Sequence, residues 1–557
     1  MHASTGTPSF DRFYVDGLYC SLHRAAPGKR RGVCVVFSAP MGRDARWTYR
    51  AMVIFAAQLA GEGFDVVRFD PAGEGDSAEA PLDADQWALW TSGLARVAAE
   101  ARRLTGATRS VLLGIRIGAT IARAAAREAS ADGLVLLDPL ASGKAWVSEL
   151  NILRAMFIEP PPPESAVEAL GLRISHATKA ALEAVDLAAL PPLNVPCLYA
   201  SPIKNQRVLQ ALGPKAETIP FKGYASFFKE GHVNEYPDWT FGQIRDWLAQ
   251  TFKPGASLGA QAEPTETRLA GDGFVEEPVT FGAGHVGILT LPTDGDARSA
   301  VLIGNTGADP RAGTGNFAAL MARRLARRGV ATLRIDFEGL GESDPALGHR
   351  SPVYEQSRTE TFRAGADLLC ARGFGDPALI GVCTGGYHAV QALIDDRRFS
   401  KVLSVNSWLL FRPGAPLERE SFLRALRSKF MDAQPELAAR VDPLIDTARA
   451  LIPSRGAGPA AAGGEASAEQ VFEIEPIAQT ALDRLDAALR AGQSICLLMG
   501  HRDPSRSGLD YFGDEGLQRL ADSGLTQQFE QIDHGLFSLD SQKITLDRIY
   551  DFLNRPS

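Results

Sequence analysis

At 557 residues the chain is too long for one hydrophobic core, so two or three folding units are expected. With 45% hydrophobic and 22% charged residues it has the mix of a globular chain, and a formal charge of −8 without a long basic run gives no reason to expect a nucleic-acid partner. No apolar run nears the roughly 18–20 residues of a membrane span, and the N-terminus lacks the basic and apolar regions of a secretory signal, so a cytoplasmic location is expected.

Along the chain, the first unit shows an amphipathic helix and turn at "FAAQLAGEGFDVV", then "RFDPAGEGDSA" at 68–78. A strand then runs into "LLGIRIGATIA" at 112–122, a Gly-x-X-x-Gly turn with Arg116 at its apex. "LVLLDPL" ends a further strand at Asp138, and an insert near 142–190 reads as a short cap. "CLYASPIKNQ" is another strand end, and His232 follows in "KEGHVNEY". Residues 253–273 are rich in Pro, Gly, Ala and Thr without periodicity and read as a linker.

The same series then returns. "RIDFEGLGESD" at 334–344 matches 68–78 at an offset of 266, and "LIGVCTGGYHA" repeats the sharp turn with Cys383 at its apex. Six apolar stretches read as strands: "HVGILTLP", "SAVLIGN", "ATLRIDF", "PALIGV", "KVLSVNS" and "SICLLMG". Continuous Val/Ile/Leu runs between helix-length segments predict a mostly parallel sheet covered on both faces, with reactive groups at the carboxyl ends of its strands. His534 comes last, in "QIDHGLFS", and the stretch about 408–475 reads as a larger cap. The expected domains are 1–252 and 274–557, joined by 253–273.

Both units resemble the α/β-hydrolase superfamily, through the Asp-x-x-Gly-x-Gly turn, the nucleophile elbow, and a histidine near the end of each. More narrowly, "IGNTGADPRAGTGNF" with "RIDFEGLGESD", and "DQWALW" with "LLGIRIGATIA", resemble hydrolase-like families associated with exosortase-linked exopolysaccharide clusters. The resemblance implies two tandem α/β-hydrolase domains and the chain order nucleophile, acid, histidine.

On that order Cys383 is the nucleophile, His534 the general base and then acid, and Asp503 in "LLMGHRDPSR" the carboxylate that fixes the imidazole tautomer. His501 and Asp533 compete. Asp503 is preferred because it lies just past the strand end, whereas Asp533 adjoins His534 in the chain. The backbone N–H groups of Thr384 and of Thr306, in "GNTGAD", are the expected oxyanion donors. Trp408 and Phe411 are candidate acyl-pocket aromatics, although cap packing accounts for them equally well. The bland reading of Cys383 is an ordinary buried thiol in an inactive copy.

Arg116 keeps its proton at any relevant pH and cannot attack a carbonyl. The first unit is therefore expected to be catalytically silent, with Arg116 either paired to Asp138 in a vacated pocket or binding an anionic substrate end. Six cysteines (Cys20, Cys34, Cys197, Cys370, Cys383, Cys496) without CxxC spacing argue against a disulfide framework and a zinc site, and the Gly-x-Gly turns lack the third glycine of a dinucleotide fingerprint. No metal or cofactor is expected.

The expected function is acyl transfer or hydrolysis of an ester or thioester, small or carrier-bound, by a cysteine nucleophile. Alternatives are a pair of non-catalytic acyl- or anion-binding domains, and a lactone or carbon–carbon hydrolase. The sequence sets no oligomeric state.

Overall fold

The computed structural model describes residues 10–155, 166–255, 259–343, 348, 353, 357–409 and 474–554, apart from positions 27, 82, 296, 298, 502 and 511. Most of the larger cap expected near 408–475, with Phe411, lies outside the described residues.

The first half begins with the antiparallel pair β1 (Phe10–Val15) and β2 (Leu18–His23). It continues through β3 (Val33–Ser38), β4 (Asp65–Phe69), β5 (Arg109–Ile115), β6 (Gly133–Leu137), the small hairpin β7 (Val167–Ala169) and β8 (Leu172–Ile174), β9 (Cys197–Ser201) and β10 (Ala216–Pro220). The main sheet has the order β1-β2-β4-β3-β5-β6-β9-β10, parallel from β4 onward, with β2 antiparallel to β4. In β3, β4 and β6 every residue is buried. Such runs have no polar face because helices cover both sides: Trp90 and Leu94 pack on one face, and Phe55, Phe241 and Trp247 on the other. The insert at 142–190 contains the helix Gly143–Ala155, the β7–β8 hairpin and the helix His176–Ala184.

The second half comprises β11 (Leu269–Gly271), β12 (Phe274–Phe281), β13 (His285–Pro292), β14 (Ser299–Ile303), β15 (Val330–Asp336), β16 (Ala378–Val382), β17 (Lys401–Val405), β18 (Ser494–Gly500) and β19 (Thr526–Glu530). Their order is β11-β12-β13-β15-β14-β16-β17-β18-β19, so beyond β11 the strand order of the first sheet returns. All six strands read from the second repeat form, within a residue or two at their ends. The segment read as an unstructured linker is ordered at its end, where Leu269–Gly271 pairs antiparallel with β12. Three residues are too few to show alternation, and the partner strand supplies the structure. Among the described residues no helix is long and apolar enough to cross a membrane, and no cluster of His, Cys, Asp and Glu could hold a metal ion.

The two repeated turns meet where the halves join. In each, the leading aspartate caps the turn: Asp70 Oδ2 accepts from the Asp76 N–H at 2.8 Å, and Asp336 Oδ2 from the Glu342 N–H at 3.0 Å. Only glycine fits at Gly75 and Gly341, because a Cβ there would lie 2.1 Å and 2.2 Å from those carboxylates at positive φ. The acid ending each turn then crosses to the other half. Asp76 pairs with Arg334 and, at 2.8 Å, with Arg311; Glu342 pairs with Arg68 and, at 2.8 Å, with Arg12, and also accepts from Tyr19 Oη at 2.8 Å. Glu276 completes the network with Arg323 at 2.7 Å and Arg334 at 2.8 Å.

The Glu342 side chain is fully buried. Burial alone would raise its pKa, but Arg311, Arg12 and Arg68 outweigh it and hold the carboxyl well below the usual range. Removing one partner of a buried pair strands the others, at about 3–5 kcal/mol. Glu342→Gln should therefore lower the unfolding free energy read from urea denaturation at pH 7 by about that much, with a lower urea midpoint. The gap should close as the pH falls through the folded carboxyl's depressed pKa, and an unchanged midpoint at pH 7 would contradict the account.

Candidate active site

The turn after β16 puts Cys383 at φ 53°, ψ −120°, a strained left-handed conformation for a residue with a Cβ. The following helix, Thr384–Asp395, starts at the next residue. Close packing enforces this turn. A Cβ on Gly381 would lie 2.1 Å from the Gly385 backbone, and one on Gly385 would lie 2.4 Å from the Asn305 carbonyl. The Cys383 N–H donates to the Val405 carbonyl at 2.8 Å, and Ser407 Oγ donates to the Cys383 carbonyl at 2.7 Å. Cys383 is partly exposed, whereas Cys20, Cys34, Cys197 and Cys496 are buried.

His534 follows β19 and lies close enough to the Cys383 thiol to interact with it electrostatically. Its Nδ1 lies 2.8 Å from Oδ2 of Asp503, whose side chain is fully buried. The other oxygen, Oδ1, accepts from the Ser505 N–H at 2.9 Å, so the carboxylate is clamped from both sides. The competing residues are engaged elsewhere. Asp533 accepts from the N–H groups of Phe537 and Ser538 and braces the loop after His534, and His501 lies against Phe529.

A residue that sequence reasoning missed ties these parts together. Asn406, buried at the end of β17, donates to the carbonyls of Asp533 at 2.9 Å and His534 at 3.1 Å, while its Oδ1 accepts from the Gly500 N–H at 2.8 Å. It thereby binds the histidine loop to the strand end that carries Asp503.

The Thr384 N–H opens a helix and has no carbonyl one turn behind it. Thr384 Oγ1 accepts from the Gly307 N–H at 2.7 Å, fastening the elbow to the loop that contains Thr306. Thr306, Gly381, Val382 and Leu536 line one cavity of about 390 Å³. Trp408 is half-buried, with its ring 3.6 Å from where a Cβ on Gly508 would stand. It packs with the hydrophobic cluster of Leu409, Leu509 and Phe512.

The first half preserves the turn with arginine in place of cysteine. Arg116 has φ 55°, ψ −123°, nearly the angles of Cys383. Its guanidinium is taken up internally, by both oxygens of Glu149 at 2.5 Å and by Asp138 at 3.1 Å, with Asp44 at 3.6 Å. The ion pair with Asp138 expected from the sequence forms. Pro40 stands 266 residues before Thr306 and has no N–H to donate. Strand register puts Asn205 at the station of Asp503, and there it caps the helix Gln206–Leu212. His232 lies 3.6 Å from Glu230.

Residues 35–185 match the family model described as serine aminopeptidase, S33. The chain belongs to the α/β-hydrolase superfamily. The matched stretch contains the arginine elbow, not the cysteine one. Among solved structures the chain is similar to a lidless α/β serine hydrolase from Xanthomonas campestris, at 15% identity and a TM-score of 0.30, over 46% of this chain and 99% of that one. It is similar also to a dienelactone hydrolase from Anabaena variabilis, at 15% identity and a TM-score of 0.31, over 51% and 98%. A hypothetical protein from Pseudomonas aeruginosa matches at 20% identity and a TM-score of 0.31, over 54% and 99%. No curated protein matches the chain.

Burial works to lower the pKa of His534, but Cys383 and Asp503 overcome it and hold the imidazole well above its ordinary value of 6.5. A raised folded-state pKa gives stability that is complete below about 6.5 and is lost as the pH rises through the folded value. In an NMR titration His534 should therefore stay protonated well past pH 6.5 in wild type and deprotonate at lower pH in Cys383→Ala. Identical titration near 6.5 in both proteins would refute the coupling.

Proposed function

We propose that the second half catalyses acyl transfer or hydrolysis of an ester or thioester, with Cys383 as nucleophile. The reading rests on one chain of interactions, the electrostatic coupling of Cys383 at the elbow to His534 and the bond from His534 to the buried carboxylate of Asp503. With Nδ1 committed to Asp503, the other ring nitrogen, Nε2, takes the thiol proton. The sulfur then bonds to the substrate's carbonyl carbon, and the π pair moves to oxygen, where the N–H groups of Thr384 and Thr306 stabilise it. Collapse breaks the bond to the leaving group, which departs with the proton from His534 and leaves an S-acyl enzyme. Water, an alcohol, an amine or a thiol next gives its proton to His534, bonds to the acyl carbon and expels the Cys383 thiolate.

In this reading residues 1–252 form a catalytically silent domain and 253–273 the linker. Residues 274–557 form the catalytic domain, with a cap at about 408–475. The first half is silent for three separate reasons: arginine replaces the nucleophile, Pro40 supplies no oxyanion donor, and Asn205 stands in place of the acid. Six free cysteines suit a reducing compartment such as the cytoplasm.

The test is intact mass and turnover with a panel of acyl thioesters and activated esters. Wild type should gain one acyl group or turn the substrate over. Cys383→Ala should do neither, and Asp503→Asn should react slower by ~10³-fold or more. Full turnover by Cys383→Ala would end the proposal.

A further inference from the structure

The loops that join the halves also border a chamber of about 850 Å³, open to solvent and distinct from the cavity behind the Cys383 elbow. The first half contributes Gly73–Gly75, Gln86 and the β7–β8 hairpin, and the second contributes Asn316, Leu320 and Arg324. Arg173 on β8 and Arg324 on the helix Phe317–Ala326 both line it.

These two arginines differ from their neighbours. Arg12, Arg68, Arg311, Arg323 and Arg334 all meet carboxylates across or within the interface. Arg173 and Arg324 have neither a hydrogen bond nor an ion pair among the described residues. Arg173 is half-buried, and burial, aided by the like charge of Arg324, lowers its pKa from the ordinary value against the opposing pull of Glu168, Glu79 and Glu74. Arg173, partly drawn out of water without a hydrogen-bond acceptor, is costly to hold there, and the nearby Arg324 adds repulsion.

Further donors face the same space. The Gln86 side-chain oxygen accepts from Thr178, which leaves its amide nitrogen 3.8 Å from where a Cβ on Gly73 would stand. Glu74 and Glu79 also line the chamber, but Glu79 is exposed. The Glu74 carboxyl is pushed by burial up to about 7, so near neutrality it carries only part of a charge.

We propose that this chamber binds a small molecule bearing a phosphate or carboxylate group, gripped between Arg173 and Arg324. A planar guanidinium offers paired donors that match either anion. Arg173 belongs to the first half and Arg324 to the second, so the site is complete only when the halves are docked. The proposal is independent of the acyl chemistry.

The test is calorimetric titration of the full chain with inorganic phosphate, pyrophosphate and acetate in separate arms. The proteins are wild type, Arg173→Gln, Arg324→Gln and the control Arg327→Gln, whose side chain lies over the Phe274 ring away from the chamber. Saturable binding of at least one anion is expected for wild type and the control, weakened at least about tenfold in the other two variants. Preference for phosphate or pyrophosphate assigns a phosphate ligand, and preference for acetate a carboxylate. Arg324 is exposed, so Arg324→Gln keeps the fold and the test stays readable. No saturable binding of any anion, binding indifferent to Arg173→Gln and Arg324→Gln, or equal weakening in Arg327→Gln would overturn the proposal.

Discussion

The structure depends on two acids that leave their own half. Asp76 and Glu342 end equivalent turns, and each spends its charge on arginines of the opposite sheet. Buried charges of this kind are poor evidence for net stability, because desolvation consumes most of the Coulomb gain. Their effect is to define one docking geometry: any other arrangement of the halves strands several ions out of water. The apolar contact beside the ions, formed by Tyr14, Tyr19, Leu269, Phe274 and Ile288, supplies the favourable burial.

 Leu269, in β11, belongs to this apolar contact, which stabilises the interface while the ions orient it.

The loop between β14 and the helix Phe317–Ala326 links that interface to the candidate site. Its near end contains Thr306 beside the elbow, and Asn305 there bonds Asp336, the aspartate that caps the second turn, at 3.0 Å. Its far end holds Arg311, paired with Asp76, and Asn316, which accepts from the Gly75 N–H at 2.9 Å. Docking of the first half therefore fixes the loop that contains Thr306 in the other half. This gives the first half a physical use whatever its own chemistry.

The residues legible in the sequence sit where local geometry leaves a local pattern. Cys383 was marked by glycines two residues to either side, and Asp503 by its station just past an apolar strand. Pro40 and Asn205 were equally open to reading once the repeat was carried to their positions. Asn406 was not, because its partners are backbone carbonyls more than a hundred residues away and any polar residue at a strand end looks alike in sequence. The buried arginines were hidden for a similar reason: Arg68 and Arg334 resemble solvated charges until the opposite turn is brought against them. β11 escaped because three residues carry no period, and its order comes from β12.

The crossed acids also bear on how such a chain can change over time. A substitution at Asp76 is felt first by Arg311 and Arg334, far away in sequence, and one at Glu342 by Arg68 and Arg12. Compensation must therefore arise in the opposite half. The two halves, free to differ in catalytic equipment, are bound to drift together along the seam that joins them.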